Sequence, residues 1–445
     1  MSLPHRPPPR LPFFYGWVVV AVSFVTLALG VNARTAFSLL FPPLLDDFGW
    51  DRGLTAGAFS IGFLASTIYA PFSGMLMDRF GPRPVLSLGV ILVSLGMAGA
   101  PFMSAPWHLY LTLGVLVVGG SFLVSYVGHS FFLPNWFVRR RGLAVGIAFS
   151  GVGIGSVVVF PLLQYVIDRV GWREACWILA IVTAVVLIPL IVAFQRRHPH
   201  DMGLAPDGIA APPDSAAAPD PGTPADNVVD VVWAATDWTP GRALATARFW
   251  WMFAGYACML YAWYAVQVHQ TRYLTETGFS ATAAAYALGM VGLGGVAGQI
   301  GLGHLSDRVG REWAWTAAGA GYVLCYGALL LLPHHPGSTL LYVVIVASQG
   351  LLGYGVPSVL GAIPAELFEG RGFGTIFGIL SISIGLGAAA GPWITGVLYD
   401  ATDSYVPAWW LALGLGALSV PCIWLAAPRK VRAVAGVAER RRAKG

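Results

Sequence analysis

Twelve stretches of about 20 apolar residues follow one another along the chain, near positions 14–41, 53–76, 84–104, 107–134, 142–167, 174–194, 249–274, 281–303, 313–332, 338–363, 373–397 and 407–426. At roughly 1.5 Å of rise per residue, each is long enough to cross about 30 Å of hydrocarbon as a helix. Inside a bilayer no water satisfies backbone N–H and C=O groups, and a helix satisfies its own. Composition agrees, with 56% apolar residues, only 11% charged and a mean hydropathy of +0.69, against about 25% charged in a soluble domain. The first stretch, behind Arg6 and Arg10, exceeds the roughly 7–15 apolar residues of a cleavable signal. The chain reads as an all-α membrane protein with twelve transmembrane helices.

Several function classes fall away. Cys176, Cys258, Cys325 and Cys422 stand singly inside apolar runs, so no disulfide framework or metal set is expected. No phosphate-cradling loop lysine, zinc-binding HExxH or nucleophile elbow is present, so no cofactor, no metal and no enzyme activity are expected. Gly292-x-Gly294-x-x-Ala297 matches a dinucleotide fingerprint only as text, because it sits inside a membrane helix where small residues serve packing. The net charge of +5 comes from basic residues at helix ends, which argues for topology rather than for a nucleic-acid partner.

Placing the N-terminus in the cytoplasm and alternating sides puts 21 of the 26 Lys and Arg residues in cytoplasmic segments, including Arg79, Arg83, Arg139, Arg140, Arg141, Arg308, Arg311, Arg371 and the tail. That is the positive-inside pattern, and it predicts a multi-pass protein of the cell (plasma or inner) membrane with both termini cytoplasmic. Between Arg197 and Arg242 the chain has no Lys or Arg and is rich in Pro, Ala and Asp, the composition of a linker with little structure of its own. The expected division is 1–194 as an N-terminal six-helix half, 195–248 as a cytoplasmic linker, 249–428 as a C-terminal half and 429–445 as a basic cytoplasmic tail.

The halves repeat. Gly74-Met-Leu-Met-Asp78-Arg79-Phe-Gly81 after the second span recurs as Gly303-His-Leu-Ser-Asp307-Arg308-Val-Gly310 after the eighth. Arg141-Gly142 recurs as Arg371-Gly372, and Gly155 and Gly385 keep the same offset of 230. Such duplication implies two pseudo-symmetric six-helix halves with a cavity between them.

The twice-found G-x-L-x-D-R-x-G loop resembles the signature of the major facilitator superfamily. Tyr15-Gly16-Trp17, the Trp136-Phe137 to Gly155 stretch and His198-Pro199-His-Asp201-Met-Gly203 are similar to the monocarboxylate-porter group and its bacterial oxalate/formate-type relatives. The resemblance covers both halves and implies the major facilitator fold and secondary transport of a small solute. In it Gly74, Asp78, Arg79, Gly81, Arg83, Gly303, Asp307, Arg308 and Gly310 form a gate latch, the carboxylate bonding a helix N-terminus or an arginine.

Ionisable groups inside membrane helices are costly, and each is a site candidate. Aligning the starts of the first and seventh spans, 235 apart, sets Asn32 opposite Gln267 and Arg34 opposite His269 in the outer half of a central cavity. Arg34 is expected to hold a carboxylate, and His269 to bond the substrate or carry a coupling proton. His129, about 15 Å into the fourth span, is a second proton-coupling candidate. Gln299, Tyr264 and Tyr354 complete the expected substrate site. Monocarboxylate porters typically carry an arginine in the eighth helix where this chain has Gln299, so either Arg34 or Arg272 takes over the carboxylate charge or the substrate is not a simple monocarboxylate. The expected function is proton-coupled transport of a small organic anion by a monomer that works by alternating access. Export of a larger amphipathic or aromatic compound is the alternative, suggested by Trp250, Trp251, Tyr256, Tyr261, Trp263 and Tyr264. A ligand sensor is disfavoured for want of an output domain.

Overall fold

The computed structural model describes residues 13–137, 141–205, 228–368, 372–434 and 437, excepting the side chains at 70–72, 74, 78, 127, 134, 141 and 142. The expectations for Gly74, Asp78, Arg6, Arg10, Arg139, Arg140, Arg141 and Arg371, for 206–227 of the linker and for the tail beyond Val437 fall outside what is described. Among the described residues lie twelve long helical segments: α1 Gly16–Phe48, α2 Arg52–Phe80, α3 Pro82–Phe102, α4 opening at Pro106–Phe122 and running in short pieces to Leu133–Trp136, α5 Arg141–Val170, α6 Trp172–Phe194, α7 Ala247–Glu276, α8 Ala281–Val309, α9 Arg311–His334, α10 Thr339–Leu367, α11 Phe373–Thr402 and α12 Val406–Lys430. An even number of crossings leaves both chain ends on one side of the bundle, here called the termini end.

The two motif glycines close equivalent turns, α2 to α3 and α8 to α9. Gly81 has φ 78, ψ 179 and Gly310 has φ 120, ψ 154. An L side chain is excluded from that region, so the recurring final glycine of the motif is a backbone requirement. α4 and α10 both pass through a π-helical stretch, Tyr110–Gly119 and Ser348–Leu352, then a 3₁₀ turn, before resuming. Breaks of this kind release backbone groups, and they recur at binding sites.

α1 outruns its expected end at 41. Pro42 and Pro43 lie inside it, and Pro42, lacking an N–H, leaves the Ser38 carbonyl without its helical donor. The Thr271 hydroxyl of α7 fills that vacancy, while the Ser38 hydroxyl lies 3.1 Å from both the Val268 carbonyl and Thr271 Oγ1. A helix-breaking pair thus becomes a junction between the halves.

Glycines reveal the internal symmetry. A Cβ on Gly151 of α5 would stand 2.3 Å from the Phe24 carbonyl of α1, and one on Gly387 of α11 would stand 2.2 Å from the Ala257 carbonyl of α7. Gly155 meets Ala28 as Gly391 meets Tyr261. Equivalent residues are therefore 233 apart on α1 and α7, and 236 apart on α5 and α11. Two expectations change with this. Gly155 matches Gly391, not Gly385, which packs on Thr67 of α2. Arg34 matches Gln267, not His269. Aligning the apolar starts mis-set the register by two residues because helix ends are poor fiducials.

The halves meet away from the termini. One buried core joins Phe37, Phe41 and Phe59 to Trp263 and Tyr264 across both halves, whereas a second, around Tyr15, Leu86, Trp136 and Ile191, belongs to the first six helices alone. On α2 and α11, Gly53 is against Val397 and Asp400, and Gly57 against Trp393. On α5 and α8, the Ser156 hydroxyl donates to the Gly289 carbonyl at 2.8 Å and Gly153 touches Gly292. Nearer the termini, Gly146 of α5, about two turns before Gly153, and Gly378 of α11, about four turns before Trp393, have no described atom within 4 Å of a would-be Cβ. The bundle is closed at its far end and splayed at the termini end.

The second half of the linker is folded, contrary to expectation. Short helices Val231–Ala234 and Pro240–Leu244 are capped by Asp230 and Thr239. Trp233 Nε1 donates to the Leu367 carbonyl at 2.6 Å, and Trp238 is buried under Phe368. Two tryptophans with capping residues supply the burial that orders it.

Candidate functional site

Arg34 stands near the midpoint of the 33-residue α1, rather than in the outer half as expected, because the helix continues through its prolines to Phe48. Its side chain is half-buried in the splayed recess. Its Nε is buried without a hydrogen-bond partner, and its guanidinium lies 5.4 Å from the Phe63 ring. Among the described residues no carboxylate pairs with it. A cation taken partly out of water without an anion is costly, and a carboxylate of the right size relieves that cost.

The groups around Arg34 come from both halves. The Tyr126 hydroxyl of α4 and the Tyr354 hydroxyl of α10 are within its Coulombic reach, and Tyr126 also interacts with the Gln299 amide of α8. Gln267 Nε2 of α7 donates to the Tyr354 hydroxyl at 2.6 Å, leaving its buried Oε1 unpartnered. Trp263 packs on Tyr354 with ring centroids 4.4 Å apart and stacks on Tyr264, whose ring is 4.4 Å from Phe63. Helices α1, α2, α4, α7, α8 and α10 thus present one guanidinium, two amides, tyrosine hydroxyls and a wall of rings to one recess. Of the expected substrate residues, Arg34, Gln267, Gln299, Tyr264 and Tyr354 come together here. Tyr126, Phe63 and Trp263 complete the group; their helical positions alone do not distinguish them from packing aromatics.

Two expected members lie elsewhere. Asn32 Nδ2 donates to the Ala28 and Val152 carbonyls at 2.7 and 2.9 Å, tying α1 to α5. Two residues from Arg34 on a helix is about 200° of rotation, which turns it to the opposite face. His269, fully buried, sits in the far-end seal: Nε2 is 2.9 Å from the Pro392 carbonyl, Nδ1 is 3.1 Å from the Tyr405 hydroxyl, and Phe41 packs edge-on. A carbonyl only accepts, so Nε2 carries the proton and Nδ1 accepts from Tyr405. His129 is also fully buried, with Nδ1 3.0 Å from the Ser125 carbonyl and Nε2 unpartnered beside Phe132.

The far-end seal is a charge network that sequence reading missed as a unit. Arg52, at the start of α2, bonds Glu276 of α7 through both terminal nitrogens, at 3.2 and 2.5 Å, and donates to the Tyr405 hydroxyl at 2.8 Å. Its guanidinium lies 3.5 Å from the Tyr399 ring centroid. Asp400 of α11 accepts the backbone N–H groups of Arg52 and Gly53 at 2.9 and 2.6 Å, capping α2 from the other half. Arg272 bridges Asp46 and Glu276, both at 2.8 Å. A continuous chain of bonds therefore runs from Glu276 through Arg52 and Tyr405 to His269 and the α11 backbone.

At the termini end lies the second copy of the loop motif. Asp307 pairs with Arg311 at 2.6 Å, and Arg311 reaches Glu366 of α10 at 2.8 Å. Arg311 thus joins this motif carboxylate to a neighbouring helix. In the first half, Arg83 donates to the Gln195 carbonyl at 2.8 Å, while Arg79 lies over Phe80.

The family model described as Major Facilitator Superfamily matches residues 20–363. Monocarboxylate transporter 11 of Homo sapiens is 28% identical over 429 residues, covering 93% of this chain and 83% of that protein. Monocarboxylate transporter 13 of Rattus norvegicus is 27% identical over 396 residues, covering 88% and 84%. A bacterial homolog of the human lysosomal transporter Spinster, solved inward-facing and unoccupied, matches the fold with a TM-score of 0.64 at 17% identity, over 97% of this chain and 98% of that one. The relatives are transporters rather than enzymes. With its twelve helices in two related halves around a polar recess, this multi-pass membrane chain belongs to the Major Facilitator Superfamily and is similar to its monocarboxylate transporters.

Proposed function

We propose that the protein is a secondary active transporter that carries a small organic anion of the carboxylate class, coupled to protons, by alternating access. The observation that carries this reading is the unpaired Arg34 guanidinium at mid-helix in a recess open at one end. The relation to proteins named monocarboxylate transporters supports the substrate class. In this reading both termini are cytoplasmic, as the basic loops require, the splayed end faces inward, and the protein sits in the cell membrane as a monomer. The halves 1–194 and 249–428 rock about the recess, joined by the linker 195–248, with 429–445 as the tail.

For coupling, His269 is the better-placed histidine. A second ring proton would turn Nδ1 into a donor facing a hydroxyl that already accepts from Arg52. Proton binding would then loosen the seal, the type of biased two-state element that symport needs. The test is uptake of graded carboxylates into proteoliposomes with and without an inward proton gradient. Arg34→Gln should lower apparent affinity about 100-fold, as loss of one partner from a partly buried charge pair does. His269→Gln should retain binding but flatten the pH dependence. Carboxylate uptake equal to wild type in Arg34→Gln refutes the reading.

A second reading, export of a larger amphipathic compound, draws on the Phe63, Trp263, Tyr264 and Tyr354 wall. Transport of neutral aromatic compounds that survives Arg34→Gln would favour it.

A further inference from the structure

Beneath the second half, at the termini end, lies a recess of about 750 Å³ that the transport site does not use. It is formed by the folded linker at 229–232, the start of α7, the α8–α9 turn, the end of α10 and the chain after α12. Val228 pairs with Arg432, and Val229 and Asp230 donate to the Val431 carbonyl at 2.9 and 3.2 Å, so linker and tail together close one wall.

Its charge is unbalanced. Arg248, Arg311, Arg429, Lys430 and Arg432 line it against Asp230, Glu312 and Glu366. The three carboxylates are already engaged: Glu366 with Arg311 at 2.8 Å, Glu312 with the Arg429 N–H at 3.0 Å, and Asp230 with the Trp233 N–H at 3.0 Å. Two of the basic groups are less satisfied. Arg248 is held 4.2 Å over the Trp233 ring with its buried Nη1 unpartnered, and the Lys430 ammonium has no partner among the described residues. Gly310 and Arg311 put the start of α9 on the same wall, with no side-chain cap. An uncapped helix N-terminus with its dipole, beside Arg248 and Lys430, suits a phosphate.

A second observation says what carries the phosphate. An apolar groove of about 430 Å³, lined by Leu305, Val309, Trp313, Thr316, Ala317 and Ala320, runs up the outer surface of α8 and α9 and shares Val309 and Trp313 with the recess. Trp313 and Trp424 pack edge-on, 5.2 Å apart, at this level, where tryptophans mark the headgroup zone of a bilayer. A basic recess that opens into an apolar groove matches a phosphate headgroup joined to an acyl chain.

We propose that this recess and groove form a binding site for an anionic phospholipid, the headgroup phosphate held by Arg248 and Lys430 at the α9 N-terminus and one acyl chain along α8 and α9. The bound lipid would tie the folded linker to the ends of α7, α9 and α12. A free phosphate shares the headgroup chemistry and would ignore the groove.

The test is native mass spectrometry of the full chain in detergent, titrated with phosphatidylglycerol, phosphatidylcholine or inorganic phosphate. Phosphatidylglycerol should bind at least tenfold more tightly than either alternative. Arg248→Gln with Lys430→Gln should weaken it about 25-fold, at roughly five-fold per interfacial charge. Ala317→Trp, which fills the groove, should weaken it without touching the charges. Lys430→Gln alone, on an exposed side chain, keeps the test valid should the double variant unfold. Equal binding of the two lipids, or phosphatidylglycerol binding unchanged within twofold in the charge variants, overturns the proposal. So does inorganic phosphate binding as tightly as the lipid and insensitive to Ala317→Trp, which would assign the recess to a soluble phosphate.

Discussion

The Asp400 carboxylate offers the sharpest test of how the far end is held shut. It belongs to α11, yet it accepts the first N–H groups of α2, at 2.9 Å from Arg52 and 2.6 Å from Gly53. Those bonds exist only while the halves touch, so their energy stabilises the closed far end against the open one. Removing a helix N-cap acceptor costs about 0.5–2 kcal/mol, and a carboxylate at a helix N-terminus adds about 0.3–1 kcal/mol. Asp400 is exposed, so solvent screening argues for the lower part of that range, about 1.5 kcal/mol. Asp400→Ala should therefore raise the far-end-open population about tenfold. The assay is the labelling rate of Ser38→Cys, buried at the α1–α7 junction, by a membrane-impermeant thiol reagent. The background has Cys176, Cys258, Cys325 and Cys422 replaced by alanine. Asp400→Asn, which keeps one acceptor oxygen, should raise the rate only about threefold. A change under twofold in Asp400→Ala would show that the Arg52–Glu276 pair and apolar packing hold the seal without this cap.

Two further outcomes follow from the packing. A Cβ at Gly153 would stand 2.4 Å from the Gly292 carbonyl and from Val296, so Gly153→Val should lower the Tm by several degrees, at about 1–3 kcal/mol of overpacking. Gly146→Leu, where 4 Å is clear, should leave the Tm unchanged yet slow transport at least tenfold if α5 and α8 close on that face during the cycle; wild-type transport would refute that motion. Tyr126 lies within reach of both Arg34 and Gln299. Carboxylate binding lost in Arg34→Gln should therefore return to within about tenfold of wild type in Arg34→Gln/Gln299→Arg, measured by thermal shift, and no recovery would mean that the recess reads the anion from α1 alone.

Apolar length made the twelve helices legible, because a bilayer leaves few alternatives. The repeated loop motif made the two halves legible, because its last glycine is fixed by backbone geometry at both turns. Register was harder. Helix starts on α1 and α7 suggested an offset of 235, while the facing pair Ser38 and Thr271 and the glycine contacts give 233. A two-residue slip rotates a helix by about 200°, enough to exchange His269 for Gln267 as the partner of Arg34. The seal was illegible for a related reason. Arg52, Asp46, Glu276 and Asp400 sit at span ends, where a lone charge is unremarkable, and only the fold reveals that they meet.

That slip changes the chemistry assigned to the recess. With His269 beside Arg34, substrate and proton would share one site and compete or cooperate by direct contact. With Gln267 there instead, an anion in the recess would meet a fixed cation, amides and hydroxyls, none of which needs to change protonation to bind it. The imidazole lies in the seal, bonded through Tyr405 to Arg52. Under the proposed function, coupling in this arrangement would pass through the equilibrium between the far end closed and open, with the anion acting on the recess and the proton on the seal. The two ligands then influence each other only as far as each prefers one state, and the coupling is reciprocal. Carboxylate binding should accordingly shift the pH midpoint of Ser38→Cys labelling in wild type. In His269→Gln that midpoint should not move with carboxylate.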